Sequence, residues 1–255
     1  MCMEIIRYGD NRASDLNEAL LISTKEETMK KQGKFILMSR EELKTYISEL
    51  RDIKSFKYIQ QHHTASPAYK DVKDNHIQLM QAMENYHVKT LKMSEIAQHF
   101  STFPDGSICT GRTLTKDGGG FRGSQNLHSI TIENVGNFDT DTMTEEQKQS
   151  IILLNALLCR KFDIHPSVST LPYHCWIKNK SCPGVKYFGG NSKAAAENIF
   201  IPLIKTQMEK LAAFEKALKI VSIKANTSYE FWLKKRGIDP CFEALITKIA
   251  NSYGG

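Results

Sequence analysis

Strand-like and helix-like segments alternate along the chain between about residues 55 and 190. Short apolar runs near turn sequences predict strands, and apolar residues at helical spacing predict helices. The predicted strands cover residues 56–64, 97–103, 107–112 and 129–135, and the predicted helices between them cover 75–88 and 144–162. This interleaving favours an α/β fold, in which helices flank a central mixed β-sheet.

Two capping boxes mark where helices should begin. Ser39 is followed three residues later by Glu42, and Thr144 is followed three residues later by Gln147. In this motif the side chain of the first residue accepts a hydrogen bond from the backbone N–H three residues later. The side chain of that later residue accepts one from the backbone N–H of the first. Apolar residues at helical spacing follow both motifs, so we expect helices to start directly after Ser39 and Thr144.

The pattern divides the chain into three regions. Residues 1–55 form an N-terminal extension with a short strand expected at 3–8, and residues 56–190 form the α/β core. Residues 191–255 predict a helical appendage, whose first part, 192–223, is rich in Ala, Lys and Glu and is kinked at Pro202. An apolar stripe in it predicts a packed core, and wall binding, docking and dimerisation all stay open as its role. The stripe consists of Leu211, Phe214, Leu218 and Val221.

The net charge, the apolar runs and the N-terminal sequence limit the kinds of partner and location that the chain can have, but they do not identify a single partner. Lys and Arg number 34 against 28 Asp and Glu, which gives a net charge of +6. This excess favours an anionic partner, whether nucleic acid, membrane surface or cell wall. No run approaches the roughly 18 apolar residues of a membrane span, so we expect no membrane insertion. The N-terminus shows no ordinary secretory signal, and six scattered cysteines without a CxxC pair favour a reducing place of synthesis.

Two histidines and a cysteine could supply the ligands of a metal ion. His62 and His63 end an apolar strand, while His174 and Cys182 lie eight residues apart. A catalytic zinc site uses three nitrogen, sulfur or oxygen ligands and leaves one position open. Cys175 is the main rival to Cys182, although neighbours on an extended segment point to opposite faces and should not both reach one ion. The other histidines, at 76, 87, 128 and 165, are interpreted as surface or core residues.

Several separated motifs occur in an order that resembles a known family. They are YIQQHHT at 58–64, SEIAQHF at 94–100, PDGSICTGR at 104–112, NLHSITIENVGNF at 126–138, YH at 173–174 and KSCPG at 180–184. This order resembles the zinc-dependent N-acetylmuramoyl-L-alanine amidases of the peptidoglycan-recognition-protein (type 2 amidase) superfamily. It is most similar to their phage-endolysin-like, prophage-type members, over roughly residues 56–190.

The resemblance implies a zinc hydrolase that acts on bacterial peptidoglycan and not on nucleic acid. It would cleave the amide bond between the lactyl group of N-acetylmuramic acid and L-alanine. The implied Zn²⁺ ligands are His62, His174 and Cys182. A chain without a leader would be synthesised in the bacterial cytoplasm and act on the cell wall after release. The sequence does not separate an endolysin from a host autolysin, and it leaves the oligomeric state unknown.

The resemblance also implies roles in catalysis and substrate binding. Glu133 matches the general base of the family, and Lys180 matches a catalytic lysine that some members carry. Several relatives have a catalytic tyrosine where this chain has Gln98, and relatives that use the glutamate often lack that tyrosine. The implied lining of the substrate groove consists of His63, Arg112 and Asn126.

Two other classes of function stay open at this point. The first is a non-catalytic peptidoglycan-binding module on the same fold, and retention of Glu133 with all three ligands argues against it. The second is a different zinc hydrolase or a structural zinc protein, which would normally show four closed ligands. The glycine-rich segment 118–123 lacks the ending of a phosphate-binding loop and is predicted to form a wall of the groove.

Overall fold

The computed structural model of the chain describes residues 29–235 and 242–253. The strand expected at residues 3–8 lies outside the described residues. The chain divides into two compact units, one that runs from Met29 to Met208 and one that includes the chain from Glu209 onward. The division into three regions at residues 55 and 190 stays a prediction.

A mixed β-sheet forms the centre of the first unit. Among the described residues it has six strands in the order β1-β2-β5-β4-β6-β3. The strands are β1 (Lys30–Gln32), β2 (Phe35–Met38), β3 (Tyr58–His63), β4 (Phe100–Thr102), β5 (Ile108–Thr110) and β6 (Ser129–Asn134). β6 pairs in parallel with β3 and β4, and the other pairs are antiparallel. The predicted mixed sheet is therefore confirmed.

The register between β3 and β6 decides which side chains share a face. His62 lies opposite Glu133, and Gln60 lies opposite Thr131. Because successive side chains alternate between the two faces of a strand, these four residues lie on one face. Gln61 lies on the other face, where its amide donates to Asn155 Oδ1 at 2.7 Å.

Helices cover both faces of the sheet. They are α1 (Arg40–Glu49), α2 (His76–Lys89) and α3 (Glu145–Lys161). α3 lies over the face that carries Gln61, and α1 packs against α3. α2 lies over the face that carries Glu133, where Ile77 and Met80 pack against the buried residues Phe35 and Cys109. The flanking helices of the predicted fold class are confirmed.

The two capping boxes differ in the structure. Ser39 and Glu42 exchange both hydrogen bonds, as predicted. Thr144 accepts from the Gln147 backbone N–H, but the Gln147 side chain does not bind back. It is fully buried and donates to the carbonyl oxygens of Thr102 and Val135, both at 3.0 Å. The second helix starts where it was predicted, while its glutamine links α3 to the sheet.

The structure adds a hairpin that the sequence interpretation did not contain. β1 and β2 are joined by a tight turn at Gly33, whose φ of +61° favours glycine. β2 pairs with β5, so residues 30–38 of the predicted extension belong to the sheet. The central strands are shorter than predicted, because residues 97–99 bind backbone groups of Gly119, Arg112 and Thr131 outside a regular ladder. Short 3₁₀ turns lie at Tyr69–Asp71, Gly123–Asn126, His174–Trp176 and Tyr187–Gly189.

The C-terminal part of the chain is helical, as predicted. A short α-helical turn (Lys193–Ala195) and a π-helical turn (Ala196–Phe200) lead into α4 (Ile201–Lys224), and then follow α5 (Tyr229–Lys235) and α6 (Phe242–Ser252). The irregular π turn lies directly before Pro202, where a kink was expected. Phe214, Leu218 and Val221 of the apolar stripe lie in a buried cluster with Trp232 and Phe242, and Leu211 is also buried, which confirms the interpretation of the stripe as core. Within the described residues, none of these helices is long and apolar enough to cross a membrane.

Candidate metal and catalytic site

Three of the sequence-predicted residues converge at the end of β3. One ligand atom from each of His62, His174 and Cys182 lies within 4.8 Å of the others. The rings of the two histidines have centroids 4.6 Å apart, and His62 Nδ1 lies 3.7 Å from Cys182 Sγ. Residues separated by up to 120 positions in sequence therefore form one cluster.

Each member of the cluster is positioned by backbone contacts. His62 ends β3, and its carbonyl oxygen accepts from Asn134 Nδ2 at 2.8 Å. His174 begins a 3₁₀ turn directly after Tyr173, which bridges to Gln61 on β3. A hydrogen bond from the backbone N–H of Cys175 to the Cys182 carbonyl, at 2.7 Å, links the segments that carry His174 and Cys182.

The donor set fits a zinc ion. Nitrogen and sulfur ligands of a tetrahedral zinc lie about 3.6 Å apart, given the usual bond lengths near 2.0 and 2.3 Å. The observed separation of His62 Nδ1 from Cys182 Sγ is 3.7 Å. Burial, followed by the charges of His174, His63 and Lys180, lowers the pKa of His62 well below its usual value. Its ring is therefore neutral, as a metal ligand must be.

Burial and neighbouring charges also shift the pKa values of His174 and Cys182. Burial and the charges of Lys180 and Lys178 lower the pKa of His174 to about 4. Burial raises the pKa of the Cys182 thiol, and the nearby Glu133 raises it further. The backbone N–H of His63 donates to Cys182 Sγ at 3.4 Å and opposes that rise, because it stabilises the thiolate. Two neutral imidazoles and a cysteine that ionises when it binds a metal are the donor types of a zinc site.

Phe121 and Gly120 support the cluster and belong to the glycine-rich segment 118–123, for which the sequence predicted a groove wall. The Phe121 ring lies 5.3 Å from that of His62 and 5.5 Å from that of His174, and it is buried. A side chain at Gly120 would place its Cβ only 2.4 Å from His62 Nε2. The glycines of segment 118–123 thus let the loop approach the sheet. Its predicted role as a wall of the groove stays a prediction.

Glu133 lies beside the cluster on the neighbouring strand. It is the direct register partner of His62, and its side chain is half-buried. Burial raises the pKa of the Glu133 carboxyl to about 8, and the charge of Lys180 opposes this rise. The ionised form of a carboxyl with this pKa is a stronger base than an ordinary glutamate, and a pKa near neutral suits a group that both takes up and releases a proton.

Lys180 contributes charge to the site from an exposed position. Its side chain belongs to an exposed residue of the loop that precedes Cys182. Its charge lowers the pKa of His62, His174 and Glu133, so the ammonium group is close enough to act on all three. The assignment of Lys180 as a catalytic residue stays a prediction.

Cys175 lies outside the cluster. Its half-buried thiol donates to the Asn191 carbonyl at 3.3 Å, while Cys182 is the cysteine grouped with the two histidines. The remaining cysteines that the structure describes, Cys109 and Cys159, are fully buried, as their apolar contexts predicted.

The predicted groove residues have partners within the protein. His63 is buried on the opposite face from His62, and its Nδ1 accepts from Phe138 N at 3.1 Å. Arg112 donates to the carbonyl oxygens of Asp117 and Ile96 at 2.7 and 3.0 Å. Asn126 exchanges two hydrogen bonds with the Phe121 backbone and so holds the turn that carries this ring. Contact of these three side chains with a substrate stays a prediction.

Gln98 is buried near Glu133. Its amide nitrogen donates to Ser101 Oγ at 3.1 Å, and Ser101 is the register partner of Glu133 on β4. Its amide oxygen is buried with no partner among the described residues. The Gln98 side chain is therefore an interior group that contacts the strand next to Glu133.

The fold and the site together define a class of protein. Two parallel strands carry His62 and Glu133, and a 3₁₀ turn and a loop bring His174 and Cys182 to His62, an arrangement suited to metal-assisted hydrolysis. The family model Amidase_2, described as N-acetylmuramoyl-L-alanine amidase, matches residues 52–185, which is slightly more than half of the chain. The chain belongs to this family.

The solved structures that this chain matches include bacterial and insect proteins. The endolysin N-acetylmuramoyl-L-alanine amidase LysCS from Clostridium intestinale is 28% identical, with a TM-score of 0.42 over 51% of this chain and 76% of that chain. Drosophila PGRP-LB is 22% identical, with a TM-score of 0.47 over 63% of this chain and 91% of that chain. Comparison with curated proteins gives no significant match.

Proposed function

We propose that this protein is a zinc-dependent amidase that cleaves the bond between the lactyl group of N-acetylmuramic acid and L-alanine in peptidoglycan. The observation that carries the proposal is the pairing of Glu133 with His62 in the parallel register of β6 and β3. This pairing puts a desolvated carboxylate beside a cluster of three metal-binding side chains. Membership of the amidase family supports the choice of an amide as the bond that is cleaved.

The chemistry requires an acidified water and a stabilised oxyanion. A zinc ion held by His62, His174 and Cys182 would supply Lewis acidity, which polarises an amide carbonyl and acidifies water. Glu133 accepts the proton of the attacking water and delivers it to the departing amine nitrogen of L-alanine. Its place on a strand fixes the direction of the carboxylate, because the pleat sets the direction of each side chain.

Lys180 is proposed to stabilise the negative charge that develops on the carbonyl oxygen. Its exposed ammonium group already acts on Glu133 and on both histidines through space. A donor directed at a developing oxyanion typically contributes about 10²–10³ in rate. A substrate that covers the site would exclude water and strengthen this interaction.

The proposed setting is bacterial cell-wall degradation of the endolysin or autolysin type. The enzyme would be made in the cytoplasm and act on the wall after release. The net charge of +6 would assist its binding to an anionic wall.

The test is mass analysis of purified peptidoglycan after digestion. We expect stem peptides with a free N-terminal L-alanine and intact glycan strands. A protein treated with a chelator should be inactive, and it should recover when zinc is restored. Binding without cleavage by the zinc-loaded protein would instead support the non-catalytic recognition module, and cut glycan strands would rule out the proposed bond.

A further inference from the structure

The loop that carries Cys182, residues 180–186, lies against the loop that follows β6, residues 137–141. A side chain at Gly184 would place its Cβ only 2.6 Å from the carbonyl carbon of Phe138. Glycine therefore lets the two backbones come into direct contact. The position of the cysteine depends on what holds these two loops together.

The Asp139 carboxylate binds the Cys182 loop on both sides of the cysteine. Its Oδ2 accepts from Ser181 Oγ at 2.5 Å, and its Oδ1 accepts from the Val185 backbone N–H at 2.9 Å. Burial alone would raise the pKa of Asp139, but these two hydrogen bonds and the charge of His63 lower it. The group is therefore ionised at neutral pH, and both bonds are strengthened by its charge.

The loop after β6 is itself fixed to the strand that carries His62. The backbone N–H of Phe138 donates to His63 Nδ1 at 3.1 Å, and His63 directly follows His62 on β3. Asn137 Oδ1 accepts from the Asp139 backbone N–H at 3.1 Å, which fixes the turn. Asp139 thus joins the strand of one proposed zinc ligand to the loop of another.

We propose that Asp139 is a positioning residue that holds the Cys182 sulfur at the separation from His62 that a zinc ion requires. The inference rests on the proposed zinc amidase function. The Cys182 loop lies outside the sheet and is exposed at Val185 and Lys186, so the sheet does not fix it. Two bonds that bracket the cysteine order it in advance, and less conformational entropy is then lost when the ligands close on the ion.

Two substitutions separate positioning from a general effect on folding. Asp139→Ala removes both acceptors. Asp139→Asn keeps both contacts, because its amide oxygen can accept from Val185 and its amide nitrogen can donate to Ser181 Oγ. Asp105→Ala is the matched control, since Asp105 also accepts from a backbone N–H and a hydroxyl, both of Ser107, in the turn between β4 and β5.

The experiment measures the zinc dissociation constant of each full-length protein by competition with a chromophoric chelator, and the melting temperature without metal. We expect Asp139→Ala to bind zinc about 10- to 100-fold more weakly, the usual effect of losing a group that orients a metal ligand. We expect Asp139→Asn to stay within about threefold of the wild type, because it loses only the charge. Asp105→Ala should bind zinc like the wild type even where its melting temperature falls.

Cobalt(II) provides a readout of the cysteine itself. The charge-transfer absorption from thiolate to cobalt depends on the geometry of the bond to sulfur. In the cobalt-loaded proteins this band should shift or weaken in Asp139→Ala and should be retained in Asp139→Asn and Asp105→Ala. An unchanged band in Asp139→Ala, together with unchanged zinc affinity, would overturn the inference.

Ser181→Ala decides the question if Asp139→Ala does not fold. It removes one of the two bonds and keeps the carboxylate, so zinc binding should weaken about three- to tenfold. Where Asp139→Ala folds, adding Ser181→Ala to it should change little, because both substitutions remove the same bond. Wild-type zinc affinity in Ser181→Ala, or fully additive losses in the double variant, would contradict the proposal.

Zinc binding and cleavage are scored separately. If Asp139→Ala binds both metals like the wild type while the wild type cleaves peptidoglycan, Asp139 has no positioning role and the amidase proposal stands. If zinc binding depends on Asp139 but the zinc-loaded wild type does not cleave, the positioning role stands and the amidase proposal is wrong. If the wild type neither binds zinc nor cleaves, both are wrong.

Discussion

Replacing Glu133 by glutamine should reduce activity and stabilise the metal-free protein at the same time. Glutamine keeps the size and shape of the side chain but cannot accept a proton from water. General base catalysis typically contributes about 10²–10⁴-fold, so the zinc-loaded variant should lose that factor in kcat. The zinc content should stay unchanged, because Glu133 is not among the three clustered ligands.

The gain in stability follows from the raised pKa of Glu133. The carboxyl has an ordinary value of 4.5 and a folded value of about 8, so the folded chain holds this proton more tightly than the unfolded chain does. The wild type therefore loses stability as the pH rises from 4.5 to 8, and it loses nothing from this group below 4.5. The loss is about 3 kcal/mol at pH 7, at 1.36 kcal/mol for each unit of pKa. Glutamine is neutral at every pH, so the variant does not lose stability in this way.

The assay is urea unfolding of both proteins in the presence of a chelator, at several pH values between 4.5 and 8.5. The advantage of Glu133→Gln should be near zero at pH 4.5 and grow steadily to pH 8. Glu95→Gln is the control of opposite sign. Burial alone would raise the pKa of Glu95, but its ion pairs with Lys116 and Lys34 lower it, so that variant should be less stable at pH 7. An advantage for Glu133→Gln that does not depend on pH would refute this reasoning, and unchanged activity would remove Glu133 from the chemical step.

Three further predictions concern the metal, the charge and acid stability. Cys182→Ser should lose most of its bound zinc in metal analysis while Cys175→Ser retains it, and the opposite result would reassign the third ligand. Added salt should weaken binding to intact cell walls, because charge attraction between surfaces is screened beyond about 8 Å at physiological ionic strength. Cleavage of a small soluble substrate should change little. If wall binding and cleavage were equally sensitive to salt, the net charge would have no special role in wall binding. An NMR titration of buried His99 should give a pKa of about 4, lowered first by burial, so protonation of the unfolded chain should cost stability as the pH falls from 6.5 to 4. A His99 pKa near 6.5 would contradict this.

The elements that sequence patterns predicted well are those with a strong local signal. Helices α1 and α3 begin where Ser39 and Thr144 cap them, because the capping contacts are made within three residues. The hairpin of β1 and β2 was missed because both strands are only three or four residues long and β2 depends on pairing with β5, which is distant in sequence. Gln147 shows the same limit, since its amide binds sheet carbonyls that are distant in sequence.

The residues of the candidate site also fall into two groups, those that sequence motifs identified and those that only the structure shows. The three ligands and Glu133 were identified from motifs, and the structure brings the ligands together. The supporting residues carried no such signal. Phe121 contacts both histidine rings, and Gly120 leaves room for His62, but the glycine-rich segment predicted only a groove wall and neither of these contacts.

The register of β3 against β6 places Glu133, the proposed general base, beside His62 of the proposed metal site. Thr131 donates to Gln60 Oε1 at 3.0 Å on the face of the site, and Asn134 donates to the His62 carbonyl at 2.8 Å. Both bonds exist only when His62 lies opposite Glu133. A slip of one residue would turn Glu133 to the face covered by α3 and would leave buried amide and hydroxyl groups without partners. The polar side chains next to the site therefore fix the register, and the register in turn fixes the distance between the proton acceptor and the metal ligands.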